Sequence, residues 1–270
     1  MAANDGPEPV SITLSEEELL VVLNTLEVAS IPGLEASAWR ALSPEQQDLA
    51  LSVAQRALEA RGLAEVDDDG RLLIHRALLN AVGVCAYPHR TTLIEHWPFG
   101  SGSSVLYSHI RDEDSVVHTV DRGLHSFTLF ASEAALVEYL VSACEWKSDA
   151  GTPPLELTVP RADFTRVCDA SADGSEDEAL RLLGAGANGA SKAGSALVHS
   201  LASAPRVSIV QLVEANPASA QGAEQTFTLI DGGERGWVIS PTTLATDAPL
   251  KVRTVSRSEV GSALLRGLYR

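Results

Sequence analysis

The chain begins its first regular segment with Ile12-Thr13-Leu14-Ser15-Glu16-Glu17-Glu18-Leu19, a strand pattern that runs into an acidic helix start. The same order of residue types returns at Leu157-Thr158-Val159-Pro160-Arg161-Ala162-Asp163-Phe164. After each segment come helices, a turn marked by proline, several strands and a closing helix. The period of about 140 residues is too long for a solenoid, whose units run roughly 20–50 residues. The repeat therefore predicts two similar halves in one pseudo-symmetric body.

The two halves set the expected domain boundaries. Residues 1–11 are predicted to be a disordered tail, and residues 12–146 an N-terminal α+β half. Residues 147–154 are polar and rich in glycine and proline, which is typical of a linker. Residues 155–270 are predicted to form the C-terminal α+β half.

Four predicted helices start with a capping box, in which a serine and an acid or amide three residues later satisfy each other's backbone N–H. These boxes begin at Ser15, Ser43, Ser175 and Ser256. The first two helices and a hairpin turning at Asp67-Asp68-Asp69-Gly70 follow a winged-helix-like order. Because three aspartates at the hairpin tip repel phosphate, this order favours a packing unit over a DNA reader. An acidic winged-helix regulatory scaffold remains an alternative function.

A β-rich region follows in the first half. Apolar and polar residues alternate in Thr91–Trp97, Val105–Ile110, Ser115–Val120 and His125–Phe130, with turn signals between them. Such alternation predicts a mostly antiparallel sheet with one face covered. The predicted fold class is α+β: a pseudo-duplicated, mostly antiparallel central sheet flanked by helical bundles, with an N-terminal winged-helix-like unit.

Composition narrows the class of partner. A formal charge of −16 opposes binding to nucleic acid and to anionic membranes. The chain has no apolar run of the roughly 20 residues that span a bilayer, and its N-terminus has neither the basic flank nor the apolar stretch of a signal peptide. Cys85, Cys144 and Cys168 are odd in number and widely spaced, which favours buried, reduced thiols. We therefore expect a cytoplasmic protein.

One glycine-rich segment offers a lead toward an enzyme. Gly184–Gly189 matches the pattern G-x-G-x-x-G, and a helix and the strand Val207–Val213 follow it, with Glu214 at the strand end. Dinucleotide binding also needs a strand before the glycines. Residues 175–183 have the pattern of a capped helix instead, which favours a connector between helices. An NAD(P)-binding oxidoreductase is kept as an alternative, and no cofactor is predicted.

The histidines suggest another kind of site. His109 and His118 face each other across a predicted hairpin, with His96 nearby. Zinc binding normally needs three or four ligands with a fixed second shell, and the chain has no HExxH or CxxC pattern to supply them. Polar positions on the outer face of the sheet account for the three residues. Neither a metal site nor a catalytic residue is predicted, and so a non-enzymatic protein is expected.

Two large aromatic residues stand at the end of a predicted strand. Trp97 and Phe99 flank Pro98 just before a Gly-Ser loop. Aromatic side chains at such a position belong either to the edge of a core or to an interface, where they dominate binding energy. Trp97 and Phe99 are the predicted partner-binding residues.

The order of these segments resembles the EspG family, which is associated with ESX (type VII) secretion. The resemblance is carried by Leu14-Ser15-Glu16-Glu17-Glu18-Leu19-Leu20, by Ala57-Leu58-Glu59-Ala60-Arg61-Gly62-Leu63 leading to Asp69-Gly70, by Glu178-Ala179-Leu180-Arg181-Leu182-Leu183 and by Ala202-Ser203-Ala204-Pro205-Arg206. It covers most of residues 12–268. His118–Phe127 does not match the family pattern.

This resemblance implies a fold and a function. EspG proteins are cytosolic chaperones with two pseudo-symmetric α+β halves, and they hold helical PE–PPE secretion substrates at an apolar tip. By resemblance, the chain is a soluble, non-enzymatic binder of a helical protein partner. The family's partner-facing loop falls near Trp97 and Phe99.

Overall fold

The computed structural model describes residues 9–35, 37–97, 102–148, 153–184, 192–203, 206–214, 223–243 and 245–266. The helices are α1 (Glu16–Thr25), α2 (Ser37–Arg40), α3 (Pro44–Ala60), α4 (Arg76–Ala86), α5 (Glu133–Ala143), α6 (Arg161–Ala172), α7 (Glu176–Leu182), α8 (Lys192–Ala202) and α9 (Arg257–Arg266). The strands are β1 (Val10–Ser15), β2 (Ala64–Val66), β3 (Leu72–Ile74), β4 (Arg90–Trp97), β5 (Ser104–Arg111), β6 (Asp114–Asp121), β7 (Leu124–Phe130), β8 (Glu156–Val159), β9 (Arg206–Glu214), β10 (Ala223–Asp231), β11 (Gly236–Pro241) and β12 (Leu250–Thr254).

Among the described residues, ten strands form one sheet in the order β1-β7-β6-β5-β4-β9-β10-β11-β12-β8, and β2 pairs with β3 in a separate hairpin. Strand β1 pairs antiparallel with β7, and β8 pairs antiparallel with β12. The first strand of each half therefore joins the last strand of the same half, so the strand order corresponds between halves. The predicted α+β class, with a large antiparallel sheet and flanking helices, is confirmed.

The chain divides into two compact units. The first comprises the described parts of Met1–Leu93, Val105–Leu136 and Val213–Ala223, and the second comprises those of Ile94–Ser104, Val137–Leu212 and Glu224–Arg270. The predicted domain boundaries stay a prediction. Strand β1 begins inside the predicted tail, of which residues 1–8 lie outside the described part, as do residues 149–152 of the predicted linker.

In the first unit, helix α1 begins where the sequence predicts. The Ser15 hydroxyl accepts a hydrogen bond from the Glu18 backbone N–H at 3.2 Å, and a Glu18 carboxylate oxygen accepts one from the Ser15 N–H at 2.9 Å. Leu19, Val22 and Leu23 then lie on one helical face and are buried. They share a core with side chains of α3, α4, β1, β7 and the β2–β3 hairpin. The segments of the predicted winged-helix-like unit therefore pack into one core together with strands of the main sheet, and the winged-helix-like arrangement stays a prediction.

A buried carboxylate ties helix α3 to the edge of the sheet. Both oxygens of Glu18 accept hydrogen bonds from Nη1 of Arg61 at 2.8 Å, and Nη2 of Arg61 donates to the Thr13 carbonyl oxygen at 2.6 Å. Thr13 lies in β1, which is one edge strand of the sheet. Arg61 therefore occupies a backbone acceptor of that edge strand, the kind of group through which edge strands recruit other chains.

The second unit is packed around Trp237, which is fully buried. The indole N–H of Trp237 donates to the Ser200 hydroxyl at 2.9 Å, so the polar atom of this ring is satisfied inside the core. The preceding residue, Gly236, lies under the ring of Trp146. A Cβ atom at position 236 would stand 1.9 Å from the Trp146 ring, so only glycine fits there.

A buried aspartate holds the end of the first half's chain to strand β10. The Asp231 carboxylate accepts hydrogen bonds from the Lys147 N–H at 2.5 Å, from the Gly233 N–H at 2.9 Å and from the Ser148 hydroxyl. Burial acts to raise the pKa of Asp231, but these hydrogen bonds outweigh it and hold the pKa below its usual value. The ionised carboxylate therefore fixes the start of the predicted linker.

We expect Asp231→Ala to lower the free energy of unfolding by about 2–3 kcal/mol, because three donors lose their buried acceptor. Urea denaturation of the full chain measures the change, and Glu234→Ala, which alters an exposed carboxylate in the next turn, is the matched control. Equal midpoints for the two variants would contradict this role of Asp231.

Candidate functional site

The structure describes one of the two predicted partner-binding residues. In strand β4 the side chains of Thr92, Ile94 and His96 are buried, whereas Trp97 lies on the opposite face and is partly exposed. Phe99 lies outside the described residues. The role of Trp97 and Phe99 in binding a partner therefore stays a prediction.

A second apolar surface lies in the first unit. It is a groove along α3 with a volume of about 610 Å³, lined by the apolar residues Leu42, Leu49, Ala50, Val53, Ala54 and Ala57. We call it the α3 groove. Leu49 is 64% exposed and Val53 is 50% exposed, although both are large apolar residues. Exposed apolar side chains that stand together mark interaction sites more often than those that stand singly.

The charges at the α3 groove are of one sign. Of the described residues that line it, the ionisable ones are Glu17 and Glu18, from the first turn of α1. Glu18 is paired with Arg61, while Glu17 is exposed. The neighbouring Glu16 has a raised pKa because of burial and the nearby charge of Glu17. One end of the groove therefore carries negative charge.

Sequence reasoning missed this groove. Leu49 and Val53 stand four residues apart on α3, and such spacing normally indicates a face that packs into the core. Only the structure shows that the buried face of α3 is instead the one carrying Ala54 and Leu58. The sequence carried no signal for this exposure, since the spacing of Leu49 and Val53 is the same for a buried face and for an exposed one.

The histidines do not lie on an outer polar face, so that interpretation was wrong. His96, His109 and His118, and with them His125, are all at most 3% exposed. Nε2 of His118 lies 3.0 Å from Nδ1 of His125, and the His118 ring stacks on Phe127 with centroids 4.6 Å apart. The ring of Tyr107 also stacks on the His118 ring, with centroids 5.7 Å apart. Stacking on aromatic rings makes the imidazoles part of the core.

These imidazoles are held neutral. Burial lowers the pKa of His109 to about 4, and burial together with the charges of His125 and His109 lowers the pKa of His118 to about 3. Burial also lowers the pKa of His125. Among the described residues, no three His, Cys, Asp or Glu side chains are placed to hold a metal ion.

The glycine-rich segment does not stand in a dinucleotide-binding unit. Helix α7 precedes Gly184, where a Rossmann unit requires a buried parallel strand. Glu214 forms an ion pair with Arg90 at 3.1 Å. Residues 185–189 lie outside the described part of the chain. What the structure describes of this region is a helix followed by a turn.

The three cysteines are free thiols, as predicted. Cys85 and Cys144 are buried, and Cys168 is partly buried. Burial raises the pKa of Cys144 to about 11, and burial with the charge of Asp169 raises the pKa of Cys168 to about 11. Since the thiolate is the nucleophile, neither side chain is activated for catalysis.

Comparison with known proteins identifies the fold. The sequence matches no protein-family model and no curated protein at a significant level. The structure is similar to that of the type VII secretion system chaperone EspG5 of Mycobacterium tuberculosis, solved in complex with the PE25–PPE41 dimer. The two agree with a TM-score of 0.63 over 94% of each chain, at 13% sequence identity. The chain therefore has an EspG-like fold.

No helix in the described part of the chain combines the length and the apolar composition needed to cross a bilayer.

Proposed function

We propose that this chain is a non-enzymatic, cytoplasmic binding protein of the chaperone kind, which holds a helical protein partner as EspG chaperones of type VII secretion do. The observation that supports this most is the EspG-like fold, which extends over 94% of the chain rather than over one half. The solved relative is a chaperone in complex with a protein dimer. A helical secretion substrate is accordingly the partner class that we propose.

Partner capture tests this function directly. The full chain, immobilised by a terminal tag, is exposed to extract of its native cell, and bound proteins are identified by mass spectrometry. We expect a predominantly helical protein that forms a stoichiometric complex on co-expression and is less soluble when expressed alone. If no protein is enriched over a blank matrix, the chaperone proposal fails.

The same preparation separates the chaperone proposal from the oxidoreductase alternative. A ligand that binds the folded state raises the unfolding temperature. We expect the captured partner to raise it and NAD or NADP to leave it unchanged. A rise with the nucleotide alone would favour the enzyme.

We expect the double variant Trp97→Ala/Phe99→Ala to reduce capture of the partner at least tenfold, because aromatic anchors supply a large part of interface energy. The retained fraction of the co-expressed partner measures the effect. Tyr87→Ala is the matched control, since it removes another exposed aromatic residue, 53% exposed, from a helix end. Undiminished capture by the double variant would place the interface elsewhere on the chain.

A further inference from the structure

We propose that the α3 groove is a docking site for a basic amphipathic helix of a protein partner. The inference rests on the proposed function and deepens it, because it names a surface and the chemistry of the segment that fills it. Trp97 does not line this surface.

The shape of the groove suits a helix. Ala50 and Ala57 stand seven residues apart on α3, which is two helical turns, and present only methyl groups, which lets a second helix approach closely. Leu49 and Val53 rise beside these alanines and offer apolar contact along the length of the groove. Helix α3 has 17 residues and is therefore about 25 Å long at 1.5 Å per residue. Helix-in-groove recognition uses apolar anchors over such a length.

The charge of the groove selects the occupant. Glu17 is exposed at the end formed by α1, and Glu45 is exposed in the first turn of α3. A hydrogen bond from its own backbone and one from the Ser43 hydroxyl lower the pKa of Glu45, which keeps it ionised. Apolar anchors flanked by Lys or Arg meet this surface with complementary charge.

Other occupants fit less well. A second copy of the chain would bring the same carboxylates and another formal charge of −16 against the groove. The N-terminal residues of this chain carry Asp5 and Glu8 and offer few apolar side chains. Either occupant would bring further negative charge to the groove, whereas a basic helix would neutralise the charge already there.

Selection from a helix library tests the occupant. The probe is a displayed library of amphipathic helices with a fixed leucine stripe and randomised flanking positions, panned against the full chain. At the randomised flanking positions of the selected helices, we expect Lys and Arg to occur roughly three times as often as Asp and Glu, or more. Selection of neutral or acidic helices, or of no helix at all, would overturn the proposal.

Variants of the groove test the site. The best helix is synthesised, and its dissociation constant is measured by fluorescence polarisation. We expect Leu49→Gln/Val53→Gln to weaken binding at least roughly tenfold, and Glu17→Gln to weaken it roughly threefold with a smaller dependence on salt. Leu124→Gln removes an apolar side chain that is 49% exposed on β7 and should leave binding unchanged. Because Leu49 and Val53 are exposed, the double variant should keep the circular dichroism and melting temperature of the parent chain.

The outcomes separate this inference from the proposed function. If the helix binds the Leu49→Gln/Val53→Gln variant as tightly as the parent, the groove is the wrong site, and partner capture still decides the chaperone function. If the parent chain is a dimer that this double variant dissociates, the occupant is a second copy and the proposal is overturned. If the basic helix binds the groove but no partner is captured from cells, the docking site stands and the chaperone function fails.

Discussion

Trp237→Ala is expected to lower the free energy of unfolding by about 4 kcal/mol, the largest effect of any single substitution considered for this chain. The Trp237 ring is fully buried and packs with Leu197, Ile239 and Val252 in the core of the second unit. Removing it leaves a cavity among these buried side chains, which adds to the cost of the lost apolar contacts. The Ser200 hydroxyl also loses the donor that satisfies it at 2.9 Å. Urea denaturation followed by circular dichroism measures the change.

Two controls separate packing from the hydrogen bond. Trp237→Phe keeps most of the ring volume and removes the N–H, so we expect a loss of about 1–2 kcal/mol. Trp97→Ala removes an indole that is partly exposed and should change the free energy of unfolding little. If Trp237→Ala were no more destabilising than Trp97→Ala, the core of the second unit would have to lie elsewhere.

Acid is expected to destabilise the first unit well before its carboxylates are protonated. His109 and His118 have pKa values of about 4 and about 3 in the folded chain, against 6.5 for an unperturbed histidine. Their folded pKa values lie below the unfolded value, so the unfolded chain binds more protons at mildly acidic pH. The stability that these residues contribute is complete above pH 6.5 and is lost as the pH falls from there toward 4 and 3. At pH 5 the loss is about 2 kcal/mol for each histidine.

The free energy of unfolding, measured from pH 8 to pH 4.5, checks this dependence. His109→Gln replaces a titrating ring by an amide that can still meet the Thr91 hydroxyl, which now lies 3.0 Å from Nδ1 of His109. Unfolding of this variant should take up as much as one proton fewer than unfolding of the parent chain below pH 6.5. We therefore expect a shallower slope of the free energy of unfolding against pH in that range. His89→Gln is the matched control for the loss of a histidine, because it removes an imidazole that is exposed on the surface of the same unit. A flat profile for the parent chain between pH 6.5 and 5 would contradict neutral, buried imidazoles.

Much of the fold could be predicted from the sequence because local rules and tertiary packing agree. The alternating segments predicted at Thr91–Trp97, Val105–Ile110, Ser115–Val120 and His125–Phe130 are strands β4 to β7 within one residue at each end. Arg122 and Gly123 both have positive φ, which gives the tight turn that joins β6 to β7. The alternation of apolar and polar residues and the residues of the turns are local properties of the sequence. They are sufficient to predict strands β4 to β7 because the sheet has the same pattern of buried faces and tight turns.

Capping shows where local rules stop. The predicted boxes at Ser15, Ser43 and Ser256 each form the expected hydrogen bonds. At Ser175 no side-chain cap forms: its backbone ψ is 63°, not the extended 166° and 158° of Ser15 and Ser43. Both carboxylate oxygens of Glu178 accept hydrogen bonds from Arg181 instead, at 2.7 and 2.6 Å. The sequence shows that Glu178 has both the Ser175 N–H and the Arg181 side chain within reach. Which of the two donates to its carboxylate depends on the conformation of the helix start, which the sequence does not show.

The candidate sites were harder to predict than the fold because they depend on exposure. Histidines in alternating strands suggest an outer face, yet the stack of Tyr107, His118 and Phe127 is buried by the loop that contains Gly33. Leu49 and Val53 show the converse, since their spacing is typical of a buried helical face and yet both are exposed. Which face of a helix or strand is covered is decided by distant parts of the chain. Periodicity alone does not carry that information.

The way each half closes its part of the sheet has a consequence for synthesis. Val10 pairs with Leu129, and Val159 pairs with Leu250. In each half, roughly a hundred residues must therefore be synthesised after the edge strand before the strand that pairs with it is complete. Until β7 leaves the ribosome, β1 has no strand to join, and the apolar side of the growing half is without its cover. The first half is therefore vulnerable to aggregation for most of its translation, and a nascent chain that stalls before Leu124 exposes a strand that other polypeptides can capture.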